Sequence, residues 1–410
     1  MIFSQRTGRF LAASVTALAL TATAACGGSS GNGNKADTKP ASLPVNKATG
    51  QPIVVGMINN DTNPLGSFVE VRKAAQAAVS YVNDSLGGAG GRPIKLAVCA
   101  SNGSAPASAN CAAELLGQKP AVVVGGLDLG ADGSVPALAK AGVPYVPSSP
   151  IGAVEFTSPN SFAPVAGASG SMSAGAAYVA DKLSPKKVAV LFNDNPQARL
   201  AAENFVKKVL NGKGVTNVAL VAFGNNETDM TGPVSQALKG GTDTVIGIMQ
   251  GSGCANVLKA KQSLGSTAKF LFPGSCADPQ VIKAAGPGAE GAYFAVQQLL
   301  PTADDPDTKA FTAAVAKYDP SVPLSGFAQG SFGTVVTLAS VLAKVTPPDS
   351  PAAVMAALKG IAGRPSFMGP KLTCDGKQQP GLAGYCTKEA RIVQNKGGKL
   401  TDVGGQWFSS

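Results

Sequence analysis

The sequence predicts an α/β protein: two doubly wound parallel-sheet lobes joined by a hinge of several chain crossings. Three observations lead there. Short apolar runs alternate with helical patterns, the mark of strands covered on both faces. The alternation restarts near Gly167 to Ser173, as a second unit of the same kind. The loop Asn59-Asn60-Asp61-Thr62-Asn63-Pro64 after the first strand has a counterpart in Asn193-Asp194-Asn195-Pro196.

Each element follows from its residues. Ile53 to Ile58 is an apolar run bounded by turn residues, the first strand. Phe68 to Leu86 carries Val71, Ala74, Ala75, Ala78, Val79 and Val82 at helical spacing, and the glycines from Gly87 to Gly91 end it. Ile94 to Cys99 is the second strand, Ser108 to Leu116 the second helix, and Ala121 to Gly125 the third strand. A helix over Val135 to Lys140 and a fourth strand, Val143 to Val146, complete the unit. In the second unit Met172 to Leu183 is helical, Lys187 to Phe192 a strand and Gln197 to Leu210 a helix. Strands follow at Val218 to Phe223, Thr244 to Met249, Lys269 to Phe272 and Ala292 to Val296. A long helix, Phe327 to Val345, is broken by Pro347-Pro348. Ala352 to Ile361 is another helix, and Ala390 to Gln394 and Lys399 to Val403 read as strands. A long helix returning to the first unit makes the chain cross between lobes several times. The expected division is a signal segment over 1–25, a tether over 26–51, a first lobe from 52–168 and 298–346, and a second from 169–297 and 347–410.

The N-terminus carries an export signal. Arg6 and Arg9 precede an apolar stretch, Leu11 to Leu20, that is too short to span a membrane comfortably. Thr23-Ala24-Ala25-Cys26 resembles a bacterial lipobox, a signal whose cysteine is lipidated and becomes the first mature residue. Thr23 stands where that signal usually has an apolar residue. The alternative is a plain secretory signal cut after Ala25. Either way the chain is exported, and with lipidation it is anchored to the outer face of the cytoplasmic membrane. Gly27 to Gly50 is rich in Gly, Asn, Ser, Lys and Pro and reads as a flexible tether.

Export bears on the cysteines. Of seven, Cys26 belongs to the signal, and the other six fall as Cys99/Cys111, Cys254/Cys276 and Cys374/Cys386. An even number in an oxidising compartment reads as disulfides, and clustering favours the three local pairs among fifteen possible ones. A zinc site is disfavoured: there is no C-x-x-C and no histidine. The lack of histidine also excludes a Ser-His-Asp triad and an imidazole base. Net charge is +10 and spread along the chain, which suits a protein near an anionic membrane or wall. No basic aromatic motif points to nucleic acid.

Several segments then carry a resemblance. They are Ile53-Val54-Val55-Gly56, Asn83-Asp84-Ser85-Leu86-Gly87-Gly88 before Gly91-Arg92-Pro93-Ile94, and Val122 to Gly126. Gly142-Val143-Pro144-Tyr145-Val146, Lys187 to Leu191, and Phe367-Met368-Gly369-Pro370 before Asp375-Gly376 continue the series. In order and spacing they resemble the type I periplasmic-binding-protein family, in particular the branched-chain amino acid receptors that serve ABC importers. The resemblance covers nearly all of the chain from Ile53 onward. It implies a bilobed binding protein, not an enzyme, that traps a small polar ligand in its cleft and delivers it to an ABC permease. It further implies a monomer with no cofactor and no metal.

The strand-end rule for open α/β sheets selects the loops Asn59 to Ser67, Leu127 to Ser134, Pro147 to Gly152, Asn193 to Gln197, Gln250 to Cys254, and Pro273 to Asp278. Asn63, Asp128 and Ser252 in those loops are candidate ligand contacts. The resemblance adds Ser148 and Ser149, matching a segment that holds a ligand carboxylate. Ala131 and Asp132 lie where the family often has serines doing the same. Gln197 falls near an aromatic position over the ligand, and Ser275 near the acidic residue that pairs with a ligand ammonium. Asp128, Asp132 and Asp278 each stand as a replacement for that acid. A sensor domain signalling to a membrane partner is the competing reading. An exported enzyme is a third, for which Asp304-Asp305-Pro306-Asp307 is the densest carboxylate group but reads as a loop before a helix.

Overall fold

The structure, a computed structural model, describes residues 43–63, 66–249 and 251–410. The signal segment and Cys26 lie outside the described residues. The first unit opens with β1 (Ile53–Asn60), a small hairpin of β2 (Thr62–Asn63) and β3 (Gly66–Ser67), and α1 (Val69–Ser85). It continues with β4 (Ile94–Ser101), α2 (Ala105–Gly117), β5 (Val122–Gly125), α3 (Ala131–Lys140), β6 (Tyr145–Pro147) and α4 (Ala153–Thr157). The strands form a parallel sheet in the order β4-β1-β5-β6. Ile53, Val55 and Met57 point into one core with Val71, Ala74, Ala78 and Val82 of α1. Ile58 points the other way, among Ala112, Leu115 and Val135 of α2 and α3. Burial on both faces is why β1 reads as an unbroken apolar run.

The second unit holds α5 (Gly167–Tyr178), β7 (Val188–Asn193), α6 (Pro196–Leu200), α7 (Lys208–Gly212), β8 (Val218–Phe223) and α8 (Thr231–Ala237). Then come β9 (Thr244–Ile248), α9 (Ser252–Ser263), β10 (Lys269–Pro273), α10 (Pro279–Ala285) and β11 (Tyr293–Val296). A π-helical stretch, Ala201–Lys207, joins α6 to α7. α5 begins at Gly167, inside the glycine-rich stretch and ahead of the helix expected from Met172. Small residues there let the helix lie close on the sheet: a Cβ on Gly175 would come 2.8 Å from Leu271.

α11 (Pro306–Tyr318), α12 (Gly326–Leu342), α13 (Pro351–Lys359), β12 (Arg391–Lys396) and β13 (Lys399–Asp402) finish the chain. The larger sheet has the order β13-β12-β11-β10-β9-β7-β8, parallel up to β11, with β12 antiparallel to β11 and β13 to β12. Phe311, Phe332 and Val335 return to the first unit and pack with α1. Val354, Leu358, Met368, Leu372 and the Cys374–Cys386 pair share that core too. Of the segment 347–410 expected in the second lobe, the stretch through Cys386 therefore packs with the first, and β12 and β13 join the second sheet. The apolar face of α13 is satisfied by α12, which had already returned.

The expected tether also ends earlier than residue 51. The Asn46 amide donates to the Asp84 carbonyl at 2.9 Å and the Ala48 amide to the Asn83 carbonyl at 2.8 Å. These carbonyls end α1 and lack intrahelical donors, so the incoming segment caps them.

Disulfides join Cys99 to Cys111, Cys254 to Cys276 and Cys374 to Cys386, the three local pairs. Among the described residues no helix is long and apolar enough to cross a membrane. The chain crosses between the units near 163–167, 296–300 and 386–391. Hydrogen bonds tie the crossings down: the Ala163 amide to the Gly384 carbonyl at 2.7 Å, and the Leu299 amide to the Met368 carbonyl at 2.8 Å. The Gly167 amide donates to Gln297 Oε1 at 2.8 Å. Tyr385 stacks on Phe156 with ring centroids 4.3 Å apart.

Candidate functional site

In each sheet the strand order reverses beside the unit's first strand. β4 and β5 flank β1, and β8 and β9 flank β7. Loops leaving the carboxyl ends diverge at such a point and leave a crevice. On the first sheet its walls are the turn after β1, Gly126–Gly130 after β5 and Ser148–Gly152 after β6. On the second they are the starts of α6 and α9, the short helix Gly274–Ala277, and Gln297-Gln298 after β11.

The first wall is closely tied. The Ser148 amide donates to the Gly125 carbonyl at 2.6 Å, and its hydroxyl to the Gly126 carbonyl at 3.2 Å. Ser148 thus holds the wall through its own side chain. Ser149 is 8% exposed. Among the described residues its hydroxyl makes no hydrogen bond. Ala131 is buried at the start of α3, and Asp132 is exposed in its first turn. Asn63 lies in β2, paired through its backbone with Gly66.

The carboxylates near the walls divide by partner. Asp61 pairs with Arg72 at 3.0 Å and Asp194 with Arg199 at 3.1 Å. Asp128 is 3% exposed and committed inward. Its Oδ1 accepts from the Ser108 hydroxyl at 2.6 Å and the Gly130 amide at 3.2 Å. Its Oδ2 accepts from the Ser134 hydroxyl at 2.6 Å and the Tyr145 hydroxyl at 3.5 Å. Burial raises its carboxyl above the usual range although these donors pull it down. Asp278 caps α10, accepting from the Gln280 amide at 2.8 Å. Of the three carboxylates considered for a ligand ammonium, Asp132 alone has no hydrogen bond or ion pair among the described residues. Asp305 likewise caps α11, accepting from Asp307 and Thr308 amides at 2.8 and 3.3 Å. The densest carboxylate run is thus a helix start.

On the second sheet Gln197 is exposed in the first turn of α6, whose cap is Asn195. Ser252 begins α9 and is exposed; Ser275 is half-buried after β10. The structure therefore gathers Ala131, Asp132, Ser148 and Ser149 at one sheet's strand ends and Gln197, Ser252 and Ser275 at the other's.

Gln297 and Gln298 were missed by the sequence reading, although the strand-end rule applied to Ala292 to Val296 selects them. A Cβ on Gly330 of α12 would sit 3.2 Å from the Ser148 carbonyl and 3.5 Å from Gln298 Nε2. A small recess of about 10 Å³, open to solvent, is lined there by Val165, Gln298, Gly330, Thr334 and Phe367. The chemistry on offer is hydroxyls, primary amides and backbone N–H groups, suited to holding a small polar molecule.

Comparison with known proteins gives the same architecture. A family model described as periplasmic binding protein matches residues 52–395. No curated protein sequence matches the chain. The fold is similar to a leucine binding protein from Thermotoga maritima, with TM-score 0.68 and 15% identity over 87% of this chain and 99% of that one. It is similar to a solute binding protein of an ABC transporter from R. palustris, solved with benzoate: TM-score 0.66, 19% identity, covering 86% and 96%. A fatty acid ABC transporter substrate-binding protein from Thermomonospora curvata gives TM-score 0.68 and 18% identity, covering 90% and 96%. Family and fold are those of solute-binding proteins. Two parallel sheets with paired switch points, matched from residue 52 to 395, place this chain in the periplasmic binding protein family, with the type I fold.

Proposed function

We propose that the chain is an exported, lipid-anchored solute-binding protein that traps a small polar ligand between its lobes and passes it to an ABC permease. One observation carries the reading: hydroxyls and amides, with few aromatic rings, collect at the strand ends of both sheets. Ser149, Gln197, Ser252 and Ser275 are the contacts we assign to the ligand, with Asn63, Ala131 and Asp132 beside them. Ser148 and Asp128 hold the wall that carries Ser149. The structural neighbours are described with leucine, benzoate and fatty acid, so fold alone does not fix the ligand. The side chains here favour an amino acid, amide or short acid. Cys26 is the proposed point of attachment, and acyl mass on the mature chain is its signature.

A thermal-shift screen of amino acids, amides, short acids, polyols and aromatic acids tests the reading. A ligand present at one hundred times its Kd stabilises by ~2.7 kcal/mol. Small-angle scattering with that compound should show a smaller radius of gyration as the lobes close. A binder that leaves the radius unchanged at saturation, or a screen with no binder, contradicts the proposal.

A further inference from the structure

Behind the Ser148–Gly152 wall lie two buried carboxylates with one hydroxyl between them. Glu155 of α4 is 1% exposed. Its Oε2 accepts from the Ile151 amide at 2.7 Å and the Gly152 amide at 2.9 Å. Its Oε1 lies 3.3 Å from the Tyr145 hydroxyl, and that hydroxyl lies 3.5 Å from Asp128 Oδ2. Room for the hydroxyl is made by Gly125, where a Cβ would run into it.

The protons can be counted. Tyr145 brings one, and its hydroxyl can donate to only one carboxylate. If both were ionised, the other would face an oxygen lone pair in a buried site. A proton on Glu155 Oε1 resolves this: Glu155 donates to Tyr145, and Tyr145 donates to Asp128. The direction follows from the other partners. Asp128 already accepts from Ser108, Ser134 and the Gly130 amide, three donors that suit an anion against the two backbone amides on Glu155. Glu155 Oε1 has no donor besides Tyr145 among the described residues. The groups facing this pair are the hydroxyls of Ser108 on α2 and Ser134 on α3, besides that of Tyr145. Asp128 is the charged group acting on Glu155, and neither carboxylate is paired with a lysine or arginine among the described residues.

We propose that Glu155 is a positioning residue, whose proton, shared with Tyr145, latches the Ile151 and Gly152 amides and so sets the cleft wall carrying Ser149. Its consequence for ligand rests on the function proposed above; the latch itself does not. The sign is fixed by which form keeps the proton. Burial, with the Asp128 charge beside it, pushes the Glu155 carboxyl up to about 8 although the Ile151 and Gly152 amides pull it down, against 4.5 when it is solvated. Between those values the closed wall binds a proton that the open wall has lost. Opening therefore rises about tenfold per pH unit in this window and levels off above it.

Hydrogen–deuterium exchange of the ligand-free full chain tests this on peptides covering Ser148 to Thr157. After correction for intrinsic exchange, wild-type protection should fall by about 100-fold from pH 5.5 to 7.5. In Glu155→Gln the amide oxygen keeps both backbone donors and the NH2 group donates to Tyr145, mimicking the protonated acid. That variant should stay protected with a flat pH profile. Glu155→Ala should be unprotected throughout. A flat wild-type profile overturns the latch, as does a Gln variant as open as the Ala variant or as pH-dependent as wild type. If Glu155→Ala does not fold, wild type and Glu155→Gln decide alone. None of these readouts uses ligand, so a cleft that binds nothing in the screen leaves them standing.

Discussion

Replacing Asp128 by alanine separates two roles for this carboxylate, a ligand contact and an internal brace. The structure gives the size of the effect. Four donors converge on it: the Ser108 and Ser134 hydroxyls, the Gly130 amide and the Tyr145 hydroxyl. Two have alternatives. Ser108 lies 3.3 Å from the Ser101 hydroxyl, and Tyr145 can turn to Glu155. The Gly130 amide and the Ser134 hydroxyl are left without acceptors in a buried site. Each orphan costs roughly 1–3 kcal/mol, so the loss lies at about 2–6 kcal/mol before relief. Relief comes from no longer burying the carboxylate, whose raised pKa records that its burial is unfavourable. A net destabilisation of about 2–4 kcal/mol is expected. Urea unfolding followed by far-UV circular dichroism measures it. Ligand selectivity should be retained in the folded fraction. A loss below about 1 kcal/mol would refute the brace. Unchanged stability with abolished binding would return Asp128 to the ligand.

Two further outcomes follow. Cys374→Ser with Cys386→Ser opens a loop with a sequence separation of 12 beside the third crossing. Chain entropy sets the cost at about 3 kcal/mol, read by the same unfolding assay, and a loss under about 1 kcal/mol would show the loop is held by packing alone. Ser149→Ala should weaken by roughly tenfold the binding of whichever compound the screen finds, measured by calorimetry. Unchanged affinity removes Ser149 from the site.

The strands were legible because a parallel strand buried on both faces is apolar at every position, as Val122 to Val124 and Val188 to Phe192 are. Helix starts were less so. α2 begins at Ala105, not Ser108, because Ser104 accepts from the Ala107 amide and Pro106 fits a first turn. α3 begins at Ala131 although Gly133 and Pro136 lower its helical signal. The strand-end rule selects loops from strand order alone and says nothing of the directions of their side chains. Asp128 and Asp278 lie in those loops, yet one turns inward and the other caps a helix. Nothing in the sequence paired Glu155 with Tyr145. They stand ten positions apart on different elements, and only the fold makes them neighbours.

Neither core is continuous in the chain. The first sheet precedes α5, but its core is closed by Phe311, Phe332 and Leu358, which follow the second sheet's main strands. The second sheet waits in turn for Val393 on β12. Read as an order of synthesis, the first lobe stays unfinished until Cys386 has left the ribosome and the second until Val393 has. The growing chain thus remains threadable for almost its whole length, and both lobes become completable within a few residues of each other.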